Sequence, residues 1–158
     1  MTVLSSFEIF ANWMLAVLLI AVILFDLRRM ILPNWLALSF VLLFAVGVAW
    51  TLPFSDLVWR VGIAVTFLLI GMAANAARLL GGGDVKVLSA LILFVPTGAV
   101  LSFAFVFCIC LFVGILALLV VRQALRGMDT GWDGLKVGNR YPMGLSIGAA
   151  GLILIGFS

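Results

Sequence analysis

The chain is built from long apolar runs divided by short polar stretches. A helix needs about 20 mostly apolar residues to cross the hydrocarbon core of a bilayer. The pattern predicts spans at Ile9–Phe25, Trp35–Leu52 and Leu57–Ala77, with Pro53 ending the second. From Val87 to Val121 the chain stays apolar, a length of roughly 52 Å as one helix. That is too long for one crossing, and Pro96-Thr97-Gly98 divides it. The fourth span is therefore placed at 81–95 and the fifth at Ala99–Val121. Met143–Phe157 is a short sixth, in which Gly144 and Gly148 form a GxxxG face for close helix packing. The expected fold is all-α: one polytopic membrane domain, 1–158, with six transmembrane helices. Residues 1–8 lack the basic stretch of a secretory signal, so the first apolar run reads as a mature span.

Charge tests this parse. Loops after spans one, three and five share a side, and hold Arg28, Arg29, Arg78, Lys86, Arg122, Arg126, Lys136 and Arg140. The other side holds only Arg60. Basic loops stay cytoplasmic, so the N- and C-termini are expected outside. A single span over Val87–Val121 would strand four of those basic residues on the wrong side, so the rule supports the break at Pro96. Trp13, Trp50 and Trp59 fall at outer span ends and Trp35 at an inner one, as an aromatic belt requires.

The fourth span is short. Val87–Val95 covers only about 13 Å. To reach across, it must start within Gly81-Gly82-Gly83-Asp84, which puts glycines at the membrane boundary. Non-helical backbone at that depth is tolerated where it lines a wet or protein-buried site. The spacing alone thus turns Asp84 toward an internal, water-accessible site.

Composition narrows the chemistry. Apolar residues make up 66% and charged residues 9% of the 158, with a mean hydropathy of +1.41. A soluble domain carries about 25% charged residues, so a soluble enzyme is excluded. The net charge of +3 is a topology signal, not a nucleic-acid footprint. Histidine is absent, which removes Ser-His catalysis, HExxH zinc sites and histidine-bound haem. Cys108 and Cys110 point to different sides of a helix and read as packing residues; no metal site and no cofactor is expected.

Of six acids, Glu8, Asp56, Asp129 and Asp133 read as solvated residues near span ends or in the long loop. Asp26 and Asp84 differ. Both are expected at the cytoplasmic face, at similar depth, where a carboxylate is costly unless paired or functional. Taken singly, Asp26 could pair with Arg28 or Arg29, and Asp84 could cap a helix or pair with Lys86. Taken together, they form a possible acid/base pair in which one member keeps a proton.

Three motifs carry a resemblance. Asp26-Leu27-Arg28-Arg29-Met30-Ile31-Leu32-Pro33-Asn34 resembles the Asp-x6-Pro-Asn motif of the type IV prepilin peptidases, membrane aspartic proteases. Gly81-Gly82-Gly83-Asp84-Val85-Lys86 is similar to their GxGD-x-K motif. Arg140-Tyr141-Pro142-Met143-Gly144 is similar to their late Pro-x-Gly segment. The motifs occur in the family's order and cover nearly the whole chain. The resemblance implies a peptidase of the bacterial inner membrane. It would cut a basic leader from a prepilin whose apolar helix lies in the bilayer, with Asp26 and Asp84 catalytic. No CxxC pair and no large insert after the first span are present, so the chain is most similar to the minimal branch associated with Flp/Tad pili. That branch implies no N-methylation. Presenilin-type proteases share only the GxGD element, and a non-enzymatic scaffold or small transporter would use the two acids structurally.

The supporting residues have physical readings of their own. Gly81 and Gly83 allow positive φ and close backbone approach. Lys86 could depress the pKa of Asp84, meet a backbone carbonyl or meet the substrate. Pro33 and Asn34 stop the loop and start the second span, with Asn34 as its N-cap.

Overall fold

A computed structural model describes residues 2–124 and 141–156, with Trp132 and Leu135 between them; of residues 2–8 it describes the backbone only. Among the described residues there are six α-helices and no strand. They are α1 (Thr2–Arg29), α2 (Asn34–Gly47), α3 (Phe54–Ala76), α4 (Gly82–Ile92), α5 (Val100–Ala124) and α6 (Met143–Gly156), with 3-10 turns at Ala49–Thr51 and Thr97–Ala99.

Proline sets the starts. Pro33, Pro53, Pro96 and Pro142 each stand immediately before a helix or 3-10 turn. Proline lacks an N–H and holds φ near the helical value, so it suits the position where a helix begins. Pro33 and Pro53 keep extended ψ angles of 146° and 142°, outside the helices that follow. Two helix ends use left-handed residues, Met30 (φ 51°) after α1 and Arg78 (φ 61°) after α3. Met30 N–H returns to the Asp26 carbonyl at 2.8 Å, closing the last turn of α1.

Four helices are long and apolar enough to cross a membrane: Ile9–Arg29, Asn34–Thr51, Phe54–Ala76 and Thr97–Ala124. Met143–Gly156 is shorter. The sequence expectation of a fourth crossing over 81–95 is cut back to the 11 residues of α4, about 16 Å long. The break expected at Pro96 is present.

Two of the three short helices, α4 and α6, lie in the interior. α4 packs on α2, α3 and α6, and α6 packs on α1 and α5. α4 buries Val85, Val87, Ser89, Ala90, Leu91 and Ile92. By contrast α3 buries only Arg60 and Ala64, and α5 only Phe103 and Leu118. Leu57, Ile63, Val106 and Phe107 pack against the core from these long helices, while many of their other large apolar side chains are exposed, as a lipid solvent permits. Cys110 lies against the core, as expected of a packing residue, but Cys108 is exposed on the outer side of α5 and does not pack there.

The expected glycine face of α6 exists. A Cβ on Gly148 would come 3.0 Å from the Leu19 carbonyl, and one on Gly151 would come 2.6 Å from Leu19 Cδ2. Without side chains there, α6 lies directly against α1.

At the end of the bundle away from Asp26, one acid departs from its expected role. Asp56 is partly exposed but not merely solvated: Arg60 holds it at 2.9 Å, and Thr97 Oγ1 donates to it. Arg60 Nη1 also reaches the Phe94 carbonyl at 3.5 Å. This network ties the start of α3 to the α4–α5 turn. It satisfies the one basic residue that the apolar pattern placed inside a span.

Candidate active site

Asp26 sits in the last turn of α1 and is 4% exposed. Two features let a carboxylate stay there. The Gly144 N–H donates to its Oδ2 at 2.5 Å, and the Leu145 N–H also bonds it. These amides belong to the first turn of α6, whose positive dipole end faces the carboxylate. Gly144 makes the approach possible: a Cβ there would stand 2.8 Å from both Cβ and Oδ2 of Asp26. The alternative ion pair with Arg28 or Arg29 does not form. Among the described residues the one ion pair is Asp56–Arg60. Arg28 instead lies over the Trp132 ring, 5.2 Å from its centre.

Asp84 lies in the first turn of α4, half-buried, within electrostatic reach of Asp26. It does not cap the helix; Gly81 holds that position. Neither Gly81 nor Gly83 uses a positive φ, so the expected conformational reason for glycine does not apply. Close approach does. The Asp84 Oδ2 atom occupies the place a Cβ on Gly81 would take. A Cβ on Gly83 would meet the Leu32 carbonyl at 2.9 Å. The 30–33 loop therefore crosses directly over the start of α4.

Lys86 takes a partner outside its three alternatives. Its Nζ donates to Asn34 Oδ1 at 2.8 Å, fastening the start of α4 to the start of α2. Asn34 is thus not the N-cap; Pro33 stands there and makes no side-chain cap bond. With Gly83 under Leu32, this contact makes one unit of the first two motifs. Lys86→Ala and Asn34→Ala should each cost about 0.5–1 kcal/mol of stability, and the double variant no more than the larger single. Chemical unfolding in mixed micelles measures the cycle; additive losses would show that the contact carries no energy.

Two further residues escaped sequence reasoning. Tyr141 Oη lies 2.5 Å from Ser146 Oγ, and Ser146 Oγ donates to the Cys110 carbonyl at 3.1 Å. Burial first, and then the nearby Asp26 carboxylate, push the Tyr141 phenol up, so it stays a neutral O–H. Its one signal in sequence is that it is the chain's only tyrosine, beside Pro142. Ser146 is a lone hydroxyl in an apolar run and gave none.

The structure therefore brings Asp26, Asp84, Gly81, Gly83, Pro33, Asn34, Lys86, Pro142 and Gly144 to one end of the bundle. Arg28, Arg29 and Arg78 lie at the same end. Asp129 and Asp133, and the side chain of Glu8, lie outside the described residues. No group of three metal-binding side chains occurs among the described residues.

Fold and site together define a helical membrane protein with two acids, on separate helices, within electrostatic reach of each other. Residues 13–121 match the family model described as the type IV leader peptidase family. The chain belongs to that family, and is a membrane peptidase. No curated protein and no solved structure matches it. The match includes both aspartates but ends before the Tyr141–Gly144 segment.

Proposed function

We propose that this peptidase is an aspartic endopeptidase that removes the basic leader of type IV, Flp/Tad-like prepilins at the cytoplasmic face of the bacterial inner membrane. The observation that carries the reading is the convergence of Asp26 and Asp84. Two carboxylates in mutual reach do not both ionise. The ionised one takes a proton from water as that water attacks the scissile carbonyl, and the protonated one donates to the carbonyl oxygen. The pair sits at the basic end of the bundle, the end the positive-inside rule assigns to the cytoplasm. Both termini then lie outside.

The prepilin's basic leader meets a face that is itself basic, so charge attraction is a poor source of affinity. The apolar helix of the precursor supplies it, packed among the helices in the bilayer. Incubating the purified protein with a leader-bearing prepilin and following the shortened product by mass spectrometry tests the activity. An uncut precursor under conditions where the protein stays folded would refute it.

The product should leave unmethylated. The α1–α2 loop is only residues 30–33, too short for a domain that binds a methyl donor. Mass spectrometry of pilin processed with S-adenosylmethionine present should find a free N-terminus. A product heavier by one methyl group would overturn this.

A further inference from the structure

The two acids are not equivalent in their surroundings. Asp26 accepts hydrogen bonds from the Gly144 and Leu145 amides and faces the N-terminal end of α6. For Asp84 no hydrogen bond to the carboxylate occurs among the described residues. Backbone donors and a helix N-terminus stabilise a negative charge. They do nothing for a protonated carboxyl that needs to give a hydrogen away.

The α6 turn that supplies these donors is itself fastened from the opposite side. A serine hydroxyl has one proton. Ser146 gives its proton to the Cys110 carbonyl, so Tyr141 must be the donor in the Tyr141–Ser146 contact. The relay runs from Tyr141 to Ser146 to the backbone of α5. Gly114, one turn beyond Cys110, leaves room for it: the Tyr141 hydroxyl fills the place a Cβ at 114 would take. Residues 141–146 are thus clamped between Asp26 on α1 and Cys110 on α5, with the two amides in between.

We propose that this clamp makes Asp26 the charged, water-activating member of the pair and leaves the shared proton on Asp84, with Tyr141 and Ser146 as positioning residues. The inference rests on the dyad reading above and adds the direction of proton flow. Asp26 takes a proton from water as the oxygen bonds to the scissile carbon, and Asp84 protonates the carbonyl oxygen. On collapse, the carbon–nitrogen bond breaks. Asp26 gives its proton to the leaving amine, Asp84 takes one from the diol, and both acids return to their starting states.

Few other groups bear on Asp26. The helices packed on α1, α2 and α6, carry no titratable side chain. Asp84 on α4 and Tyr141 ahead of α6 face it electrostatically. Lys86 is engaged by Asn34, Arg28 stacks on Trp132, Arg29 lies on α1's own last turn, and Cys110 borders Tyr141.

The test is the pH dependence of kcat/KM for a leader-bearing prepilin, in Tyr141→Phe and Ser146→Ala. Loosening donors to an ionised base makes the base easier to protonate. Activity that needs it ionised is then lost at higher pH as pH falls. The acid limb should move up by about one pH unit, a roughly tenfold loss on that side, and the loss should shrink as pH rises. A pH-independent loss would show a merely structural role and overturn the proposal. So would an acid limb displaced downward. A second measurement needs no turnover: infrared spectra of the resting protein should show a protonated carboxyl band that vanishes in Asp84→Asn and survives in Asp26→Asn. The reverse pattern overturns the assignment even if the dyad stands. Full activity in either Asn variant would instead defeat the dyad itself.

Discussion

Asp26→Asn and Asp84→Asn each lower leader cleavage by about 10²–10⁴-fold, and the double variant is no slower than the slower single. The two acids act on one bond in one step, one removing a proton and the other supplying one. Losing either halts the step, and the second loss removes nothing further. Asparagine keeps the size of the side chain. At position 26 its amide oxygen can still accept from Gly144, so the α1–α6 contact survives. The variants should therefore remain folded, which thermal unfolding in detergent checks. Asp129→Asn and Asp133→Asn, which the sequence reads as solvated residues of the long loop, serve as active controls. Near-normal cleavage by either single dyad variant would remove the aspartic mechanism.

How far the sequence reveals this site depends on the range of the interaction involved. Helix positions follow from apolar runs and prolines, which are local signals, and the break at Pro96 is one of them. The convergence of Asp26 and Asp84 follows from a global one, since a shared side and shared depth are properties of topology. The length of α4 was overestimated because apolar content in Leu93–Val95 does not distinguish helix from the turn that precedes Pro96. Partners across helices stayed hidden. Nothing in the order of residues says that Lys86 reaches Asn34 across a gap of 52 positions, or that Gly144 donates to Asp26 across 118. Asp56 has one partner of each kind: Arg60 stands four residues on along the same helix, a local spacing the sequence contains, whereas Thr97 lies beyond α4 and stayed hidden. Of the two reasons the sequence offered for Gly81 and Gly83, positive φ is not used and close approach is, but its partners, the Asp84 carboxylate for Gly81 and Leu32 for Gly83, could not be named from the sequence.

That cause gives the three consecutive glycines three different outcomes. Gly82→Ala should be tolerated. A Cβ there stands 3.4 Å from the Asn75 side-chain amide, ordinary contact with the end of a side chain. Alanine also favours the first turn of α4 over glycine by up to about 1 kcal/mol. Gly81→Ala should remove activity by about 10²-fold or more with little loss of stability. The new methyl displaces the Asp84 carboxylate, a movable group whose exact placement the reaction requires. Gly83→Ala should lose both. Its methyl meets the backbone carbonyl of Leu32, which is held in place by Pro33 and by the Lys86–Asn34 bond and has no rotamer to escape into. Overpacking of this kind costs typically about 1–3 kcal/mol, and the displaced loop moves the start of α4 away from Asp26. Cleavage rate and unfolding midpoint, measured side by side for the three variants, separate these cases. Equal losses at all three positions would mean that the segment needs glycine for flexibility, and that the contacts with Asp84 and Leu32 are not what fixes the residue.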